Sequence, residues 1–424
     1  MAREILKDSA ITALMGLAAS VFTYLFLQFL GKSLSPAEFG DFGLVLMALV
    51  GFSVVGMIYN AIVIQYIAYF LSKSQKEKIV SFSKYALYAI MLVGLLVFFL
   101  VEYFAEDLTL HLHVSSPMII RLLGIFLLFE FFGTGLSGLI NGLQKFAILG
   151  FGRIIYAITA LAVGAVLVLS GFGVQGALTG LIIASISFDV LCLFFLKKNL
   201  FFQQESIGKV GIFGYIALAV PVGLSLGVLL NSDILLAKYY LSAEDAGLYA
   251  AASLIGTLVF FTMTAIVKVM FPKVADFQGN GKDSLPILKE AIQYVAVLAG
   301  GLTFVVFVFP DFVSRFLFSS EFLISDLLRW YAPSSFFLSL SGILIMYLLA
   351  LRKYSILIPV IGFAILKVAV LTRFHSSALE IVEMAFWVNL ALFFVILVSY
   401  KDIIIMALRK RREYFDYTEL LQSR

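Results

Sequence analysis

The sequence predicts an all-α membrane protein that crosses the bilayer many times. Of its 424 residues, 62% are hydrophobic and only 13% are charged, whereas soluble domains are about half apolar and a quarter charged. Apolar runs of about 20 residues, the length that a helix needs to cross the hydrocarbon core, recur along the whole chain. Because these runs are long and continuous, they favour helices over the alternating segments of about 10 residues that are typical of a transmembrane barrel.

The apolar runs define twelve predicted spans. They cover residues 10–31, 40–67, 80–104, 118–140, 147–170, 174–196, 212–237, 246–271, 287–309, 331–350, 355–372 and 381–400. Because twelve is an even number, both termini lie on one side of the membrane. Most of the Lys and Arg residues lie at the two termini and in the loops on that same side, which predicts that this side is cytoplasmic and that the protein is in the plasma membrane.

A short motif occurs twice and predicts the start of a helix in each copy. LSPAEFGDF at residues 34–42 is similar to LSAEDAGLY at residues 241–249. In each copy a serine can cap a helix, and an acidic residue three positions later completes a capping box. We expect the glycines that follow, Gly40 and Gly247, to let each helix start pack closely against a neighbour.

A second pair of segments repeats at nearly the same spacing, which predicts two similar halves. QKFAIL at residues 144–149 resembles RKYSIL at residues 352–357, and both lie between the fourth and fifth helices of their half. We therefore predict two six-helix bundles related by a pseudo-twofold axis along the membrane normal. The predicted domains are an N-terminal six-helix lobe (1–196), a cytoplasmic linker (197–211), a C-terminal six-helix lobe (212–400) and a basic cytoplasmic tail (401–424).

The composition excludes several classes of site. A single cysteine, Cys192, and three histidines predict no disulfide and no metal site. The chain has no phosphate-binding loop, zinc-binding helix motif or dinucleotide fingerprint. We therefore expect no catalytic residues, no organic cofactor and no nucleic-acid partner. Two bundles that rock around a central cavity would instead transport a substrate, driven by an ion gradient, an associated protein or the substrate gradient.

Four segments resemble a known family of transporters. NSDILLAKYYLSAEDAGLYAAASLIG and VMFPKVADF look like the seventh and eighth helices of polysaccharide-transport flippases, which belong to the multidrug/oligosaccharidyl-lipid/polysaccharide exporter superfamily. LSPAEFGDFGLV resembles the corresponding motif of the first half, and GLINGLQKF resembles the turn between the fourth and fifth helices. The resemblance covers essentially the whole chain and implies a V-shaped pair of six-helix lobes like that of multidrug exporters of the superfamily.

The resemblance implies that the protein moves a lipid-linked oligosaccharide from the cytoplasmic to the outer leaflet. The partners would be a polyprenyl-diphosphate glycan, membrane lipids and proteins of glycan assembly. An alternative is a cation-coupled exporter of small amphipathic molecules, but the first helix lacks the aspartate that such exporters often carry. A glycan ligase or polymerase is disfavoured, because it would usually need a large external loop.

Two acidic residues inside predicted spans are candidates for coupling to a proton or sodium gradient. Glu130 lies midway along the fourth predicted helix, where an unpaired charge is costly, so it should be protonated, paired or in a wet cavity. The alternative for Glu130 is a structural hydrogen bond to Asn389 or to another helix. Asp233 either acts in coupling, lines the outer cavity or pairs with a basic residue.

Four further residues are candidates for substrate binding. Arg153 and Lys268 lie about one turn inside the predicted cytoplasmic ends of their helices, where a cation could bind the diphosphate of the substrate. Asn60 lies one position from the repeat equivalent of Lys268, and Lys367 could line the exit path. The alternative for each cation is that its long side chain extends to the membrane surface.

Overall fold

The structure is a computed structural model that describes residues 2–72, 75–200, 213–279, 282–351 and 353–400. The described residues form helices and contain no strand. The first seven helices are α1 (Ala2–Ser33), α2 (Pro36–Ser72), α3 (Lys76–Tyr103), α4 (Ala105–His111), α5 (Pro117–Gly142), α6 (Phe146–Leu167) and α7 (Gly173–Leu200). The others are α8 (Phe213–Tyr240), α9 (Ala243–Gly279), α10 (Leu285–Val308), α11 (Pro310–Leu317), α12 (Ser325–Ala350), α13 (Leu357–Leu371) and α14 (Ala378–Ser399).

Nine stretches of the described residues are long and apolar enough to cross a membrane. They are Leu14–Ser33, Lys78–Tyr103, Pro117–Gly142, Phe146–Leu196, Ala243–Phe271, Leu285–Val308, Ser325–Ala350, Tyr354–Leu371 and Ala378–Ser399. The stretch Phe146–Leu196 has 51 residues, enough for two passes of about 20 residues each. The predicted all-α, multi-pass fold is therefore confirmed, while the number of twelve spans stays a prediction.

The break inside the longest stretch is made by two glycines. A π-helical turn, Val168–Phe172, joins α6 to α7. Within and just after this turn, Gly171 has a φ of 90° and Gly173 a φ of 50°, values that glycine adopts at little cost because it has no Cβ. The chain therefore changes direction close to the predicted boundary between the fifth and sixth spans.

The first predicted capping box is present, and the second copy shows its N-cap bond. Glu38 N–H donates to Ser35 Oγ at 3.4 Å, and Ser35 N–H donates back to Glu38 Oε2 at 3.0 Å. In the second copy, Asp245 N–H donates to Ser242 Oγ at 3.1 Å. The caps supply partners for N–H groups that the first turn of a helix leaves free, so α2 and α9 begin where the sequence predicts.

The chain divides into two compact units. Unit 1 comprises Met1–Gly227, Ser242–Gly247 and Leu317–Phe322, and unit 2 comprises Val228–Leu241, Leu248–Phe316 and Leu323–Arg424. The predicted tail (401–424) and all but the first four residues of the predicted linker (197–211) lie outside the described residues. The domain boundaries proposed from the sequence therefore stay predictions.

In unit 1, α5 is the central helix, and its glycines let its neighbours approach. It packs against α2, α3 and α7. A Cβ on Gly135 would lie 2.8 Å from Ile90 Cγ2, and a Cβ on Gly142 would lie 2.8 Å from Ile67 Cβ. The core of this region is apolar and includes the side chains Val63, Ile67, Phe70, Ile79, Phe82, Leu136, Leu139, Ile140 and Leu149.

The two glycines of the repeated motif pack against each other within unit 1. A Cβ on Gly40 would lie 2.9 Å from Gly247 N, and a Cβ on Gly247 would lie 1.6 Å from the Pro36 carbonyl oxygen. This contact confirms the expectation that each glycine allows close packing, and it identifies the neighbour as the other copy of the motif.

In unit 2, α12 packs against α10 and α14, and α14 also packs against α13. Helix α12 is the most deeply buried of the nine candidate spans, with 72% of its most apolar window inside the protein. Serines line part of its buried face, and their hydroxyls bond largely to backbone carbonyls; Ser339 Oγ, for example, donates to Ser335 O at 2.7 Å. Such bonds keep hydroxyl groups satisfied in an apolar surrounding.

Candidate functional sites: two buried polar clusters

Unit 1 contains a partly buried polar cluster between α5 and α7, in which Ser185 and Asp189 are buried and Glu130 is half-buried. Ser185 Oγ on α7 donates to Glu130 Oε1 on α5 at 2.9 Å. Tyr156 on α6 lies beside both Glu130 and Ser185. The sequence left open whether Glu130 bonds to Asn389 or to another helix. The structure shows the bond to α7, whereas Asn389 donates from Nδ2 to Ser334 Oγ at 2.9 Å in unit 2.

A second carboxylate, Asp189, lies one helical turn from this bond. It follows Ser185 by four residues on α7, and a Cβ on Gly133 of α5 would lie 2.8 Å from Asp189 Oδ1. Gly133 in turn follows Glu130 by three residues. Since one turn of helix rises about 5.4 Å, the two carboxylates face the same α5–α7 contact about one turn apart.

The carboxylate of Asp189 is unusual because it is buried without a partner. Its side chain is 4% exposed, and neither oxygen has a hydrogen-bond partner among the described residues. The structure also gives neither Glu130 nor Asp189 a basic partner among those residues. We call Glu130, Ser185, Tyr156 and Asp189 the acidic cluster. Of these four residues, the sequence analysis predicts a role only for Glu130.

Unit 2 contains a buried cluster of different composition, built around Asp233 of α8. Lys367 Nζ of α13 donates to Asp233 Oδ1 at 3.3 Å and to the Leu229 carbonyl oxygen at 2.5 Å. The other carboxylate oxygen, Oδ2, accepts from Tyr331 Oη at 2.7 Å and from Tyr249 Oη at 2.9 Å. We call Asp233, Lys367, Tyr249, Tyr331 and the Leu229 carbonyl the ion-pair cluster.

The ion-pair cluster is closed off from its surroundings. Asp233 is 3% exposed and Lys367 is 1% exposed. The rings of Tyr249 and Tyr331 meet nearly edge to face, with centroids 5.6 Å apart. Gly256 of α9 leaves room for Tyr331, because a Cβ there would lie 2.0 Å from Cδ1 of that ring.

The structure therefore brings two predicted site residues, Asp233 and Lys367, into direct contact. Of the alternatives for Asp233, pairing with a basic residue is the one observed. Lys367 does not extend to the membrane surface, because its ammonium is buried on the carboxylate. The coupling role of Asp233 and the substrate-binding role of Lys367 stay predictions.

The remaining predicted residues form no hydrogen bond or ion pair with these clusters among the described residues. Arg153 is exposed on α6 of unit 1, and Lys268 is exposed on α9 of unit 2. Asn60 on α2 donates from Nδ2 to the Gly56 carbonyl oxygen at 2.8 Å. Its Oδ1 faces Gly138 of α5, where a Cβ would lie 3.1 Å away, and has no hydrogen-bond partner among the described residues.

The helical architecture is shared with known membrane transport proteins. An inward-facing multidrug resistance MATE family transporter of the MOP superfamily matches with a TM-score of 0.71 and 12% identity, over 95% of this chain and 98% of the other. The lipid II flippase MurJ, in an inward closed conformation, matches with a TM-score of 0.69 and 15% identity, over 94% and 91% of the two chains. A MOP superfamily transporter from Pyrococcus furiosus matches with a TM-score of 0.64 and 14% identity, over 95% of each chain. These similarities define the class of fold.

A family model then identifies the family itself. The model described as polysaccharide biosynthesis protein matches residues 5–278, which is more than half of the chain. The chain therefore belongs to the polysaccharide biosynthesis protein family, and it has the fold of MOP superfamily transporters. Comparison with curated protein sequences gave no match.

Proposed function

We propose that the protein is a flippase that moves a polyprenyl-diphosphate-linked oligosaccharide from the cytoplasmic to the outer leaflet by alternating access. The observation that carries this proposal is the match of residues 5–278 to the polysaccharide biosynthesis protein family. The fold similarity to a lipid II flippase supports it. Membrane lipids and proteins of glycan assembly would be its partners.

Reconstitution into liposomes tests the function. A fluorescent lipid-linked oligosaccharide would be placed in one leaflet, and its arrival in the other would be measured with a membrane-impermeant glycosidase. We expect the protein to accelerate this exchange over protein-free liposomes. No acceleration, together with gradient-driven uptake of a small amphipathic dye such as ethidium, would favour the alternative of a cation-coupled exporter, which the fold similarity to a MATE transporter supports.

We propose that the acidic cluster couples transport to a proton or sodium gradient. Two ionised carboxylates one turn apart, without a basic partner among the described residues, would be costly in an apolar interior. A bound proton or monovalent cation would lower that cost and could be exchanged between the two sides. Glu130 is the coupling group in this scheme, and Asp189 is its partner.

The mutation Glu130→Gln tests the coupling role, because it keeps the shape and the acceptor for Ser185 but removes the charge. We expect the variant to insert normally and to lose the dependence of transport on an imposed pH or sodium gradient. Glu244→Gln, which changes an exposed residue in the first turn of α9, is the matched control and should behave as wild type. Unaltered gradient dependence in Glu130→Gln would leave Glu130 as a packing residue.

We propose that Arg153 and Lys268 bind the diphosphate of the substrate, with Asn60 as a further polar contact. Both cations are exposed, and a guanidinium matches the oxygens of a phosphate in a bidentate manner. A substrate contact by Lys367, like a coupling role for Asp233, would require the buried ion pair to open.

Arg153→Ala and Lys268→Ala test the substrate site. We expect each variant, and the double variant, to slow transport of the lipid-linked oligosaccharide, because each substitution removes a positive charge that could bind a phosphate. The matched controls are Lys145→Ala, at the start of α6, and Lys273→Ala, further along α9; both positions are exposed. Wild-type transport by the double variant would exclude this site.

We also propose that both termini are cytoplasmic. The excess of Lys and Arg on that side supports this orientation. An introduced cysteine at the exposed position Asp107, in α4, should react with an impermeant thiol reagent added to intact cells. Labelling of Asp107→Cys only after the inner face is exposed would reverse the orientation.

A further inference from the structure

The environment of the Lys367 ammonium is that of a bound cation. Its hydrogen bonds within the described part of the chain both go to oxygen: the Asp233 carboxylate at 3.3 Å and the Leu229 carbonyl at 2.5 Å. Leu229 and Asp233 lie four residues apart on α8, so both acceptors come from consecutive turns of one helix. Lys367 reaches them from α13, a different helix.

The remaining groups of the ion-pair cluster complete this environment. Tyr249 and Tyr331 both donate to Asp233 Oδ2. They hold the carboxylate with Oδ1 left for the ammonium. The oxygen acceptors are therefore fixed by α8, α9 and α12, while the positive charge comes from α13. Carboxylate and carbonyl oxygens are the ligands that small hard cations prefer in proteins.

The charges within this cluster balance, and nothing in it needs an ion from solution. One carboxylate meets one ammonium, with side-chain exposures of 4% and 2%. If the ammonium were absent, the carboxylate would remain buried in a cavity lined by oxygen. An isolated buried charge is strongly disfavoured unless it is paired. The empty position would therefore attract a cation small enough to enter.

We propose that the ammonium of Lys367 is a tethered cation that occupies a small-cation site in unit 2, and that its removal leaves a site which a free monovalent cation fills. The site takes an alkali ion or a small alkylammonium ion. In the native chain the tether keeps the site filled, so this site exchanges no ion with solution. This last consequence rests on the proposed function, which then leaves coupling to the acidic cluster of unit 1.

Two variants test the site by matching the size of the cation to the space. Lys367→Met keeps most of the side-chain volume and removes the charged end, so sodium should fit. Lys367→Ala removes the stem as well, so propylammonium should fit. The thermal unfolding midpoint of each purified variant would be measured against the concentration of its cation, with N-methyl-D-glucamine chloride keeping the ionic strength constant.

We expect the unfolding midpoint of Lys367→Met to rise with sodium and that of Lys367→Ala to rise with propylammonium. Once the site is near saturation, each tenfold increase in cation concentration should raise the midpoint by a similar step, because the cation binds only the folded state. The wild type should show no such rise, because its site is filled. The double variant Asp233→Asn/Lys367→Met should show none either, because it has nearly the same shape and lacks the carboxylate. Since the measurement involves no transport, its outcome is independent of the flippase proposal.

Three results would overturn the proposal. The first is a single variant whose midpoint follows ionic strength alone. The second is an equal response to sodium in the wild type or in the double variant. The third is Lys367→Met that aggregates at every sodium concentration while the double variant accumulates normally, because the buried carboxylate then fails to recruit a cation.

Discussion

The two units bury carboxylates in opposite ways. In unit 2, Asp233 receives an ammonium and two phenol hydroxyls, so each of its oxygens has a donor. In unit 1, Glu130 receives the hydroxyl of Ser185, and Asp189 has no hydrogen-bond partner among the described residues. The ion-pair cluster is complete within the chain, whereas the acidic cluster has no basic partner among the described residues.

This difference indicates which unit can exchange an ion. A buried ion pair with its hydrogen bonds satisfied has no need of an outside partner, and breaking it is costly. A buried carboxylate without a donor gains from any proton or cation that reaches it. The same residue type, aspartate inside an apolar helix, is therefore paired in one unit and without a hydrogen-bond partner among the described residues in the other.

The largest effect is expected from Asp233→Asn. This change leaves the Lys367 ammonium buried without its counter-ion, and removing one partner of a buried pair costs about 3–5 kcal/mol of unfolding free energy. Denaturant unfolding of the purified protein would measure it.

The matched control is Asp326→Asn. Asp326 pairs with Arg329 at 3.7 Å, but its side chain is 81% exposed, and exposed pairs contribute only about 0–1 kcal/mol. If the two variants lose the same stability, the Asp233–Lys367 pair does not stabilise unit 2 in the way described.

The next largest effect is expected from Gly256→Ala, which disturbs the same cluster without changing a charge. The added Cβ would lie 2.0 Å from the Tyr331 ring and 2.8 Å from Ser335 Oγ, so the ring must move away from Asp233. Overpacking of this kind costs about 1–3 kcal/mol. Gly301→Ala on α10, where a Cβ meets nothing within 4 Å, should instead be neutral or stabilise the helix by about 0.5–1 kcal/mol. Equal unfolding midpoints for Gly256→Ala and Gly301→Ala would show that the space at Gly256 is not needed to hold the Tyr331 ring in place.

A smaller effect is expected in unit 1 from Ser185→Ala, which removes the hydroxyl that donates to Glu130 Oε1. Loss of a single hydrogen bond costs about 1 kcal/mol. Ser187→Ala is the control on the same helix, because its hydroxyl is exposed and bonds only to the Ile183 carbonyl oxygen. A loss in Ser185→Ala no larger than in Ser187→Ala would mean that the bond to Glu130 does not stabilise the contact between α5 and α7.

The features that the sequence predicted correctly are those that depend on neighbouring residues. The capping boxes at Ser35 and Ser242 follow from a serine and an acid three positions apart, and a helix start depends on little else. The close approach at Gly40 and Gly247 follows from small residues in a repeated motif. Both features can be recognised in a few consecutive positions.

The two clusters depend on distant residues, and only some members of each could be predicted from the sequence. The helices are apolar on nearly every side, so periodicity does not show which face of α7 meets α5. The sequence therefore does not predict the bond from Ser185 to Glu130 or the nearby position of Asp189. Tyr331 lies 98 positions from Asp233, and no local pattern connects them. Charge in an apolar helix marks a candidate residue, but only the packing of helices identifies its partner.

The smallest effect is expected from Asp189→Asn. The same change of residue type, Asp to Asn, has the largest expected effect at position 233. Its carboxylate has no hydrogen bond to lose among the described residues, and an amide avoids the cost of a buried charge. We therefore expect the unfolding free energy to change by less than about 1 kcal/mol, and in the stabilising direction, because the buried charge is removed and no pair is broken. Denaturant unfolding of Asp189→Asn beside Asp233→Asn makes the comparison directly, because residue type, substitution and burial are the same. A loss of stability as large as that of Asp233→Asn would mean that Asp189 is also a paired structural carboxylate, and the contrast between the two units would no longer hold.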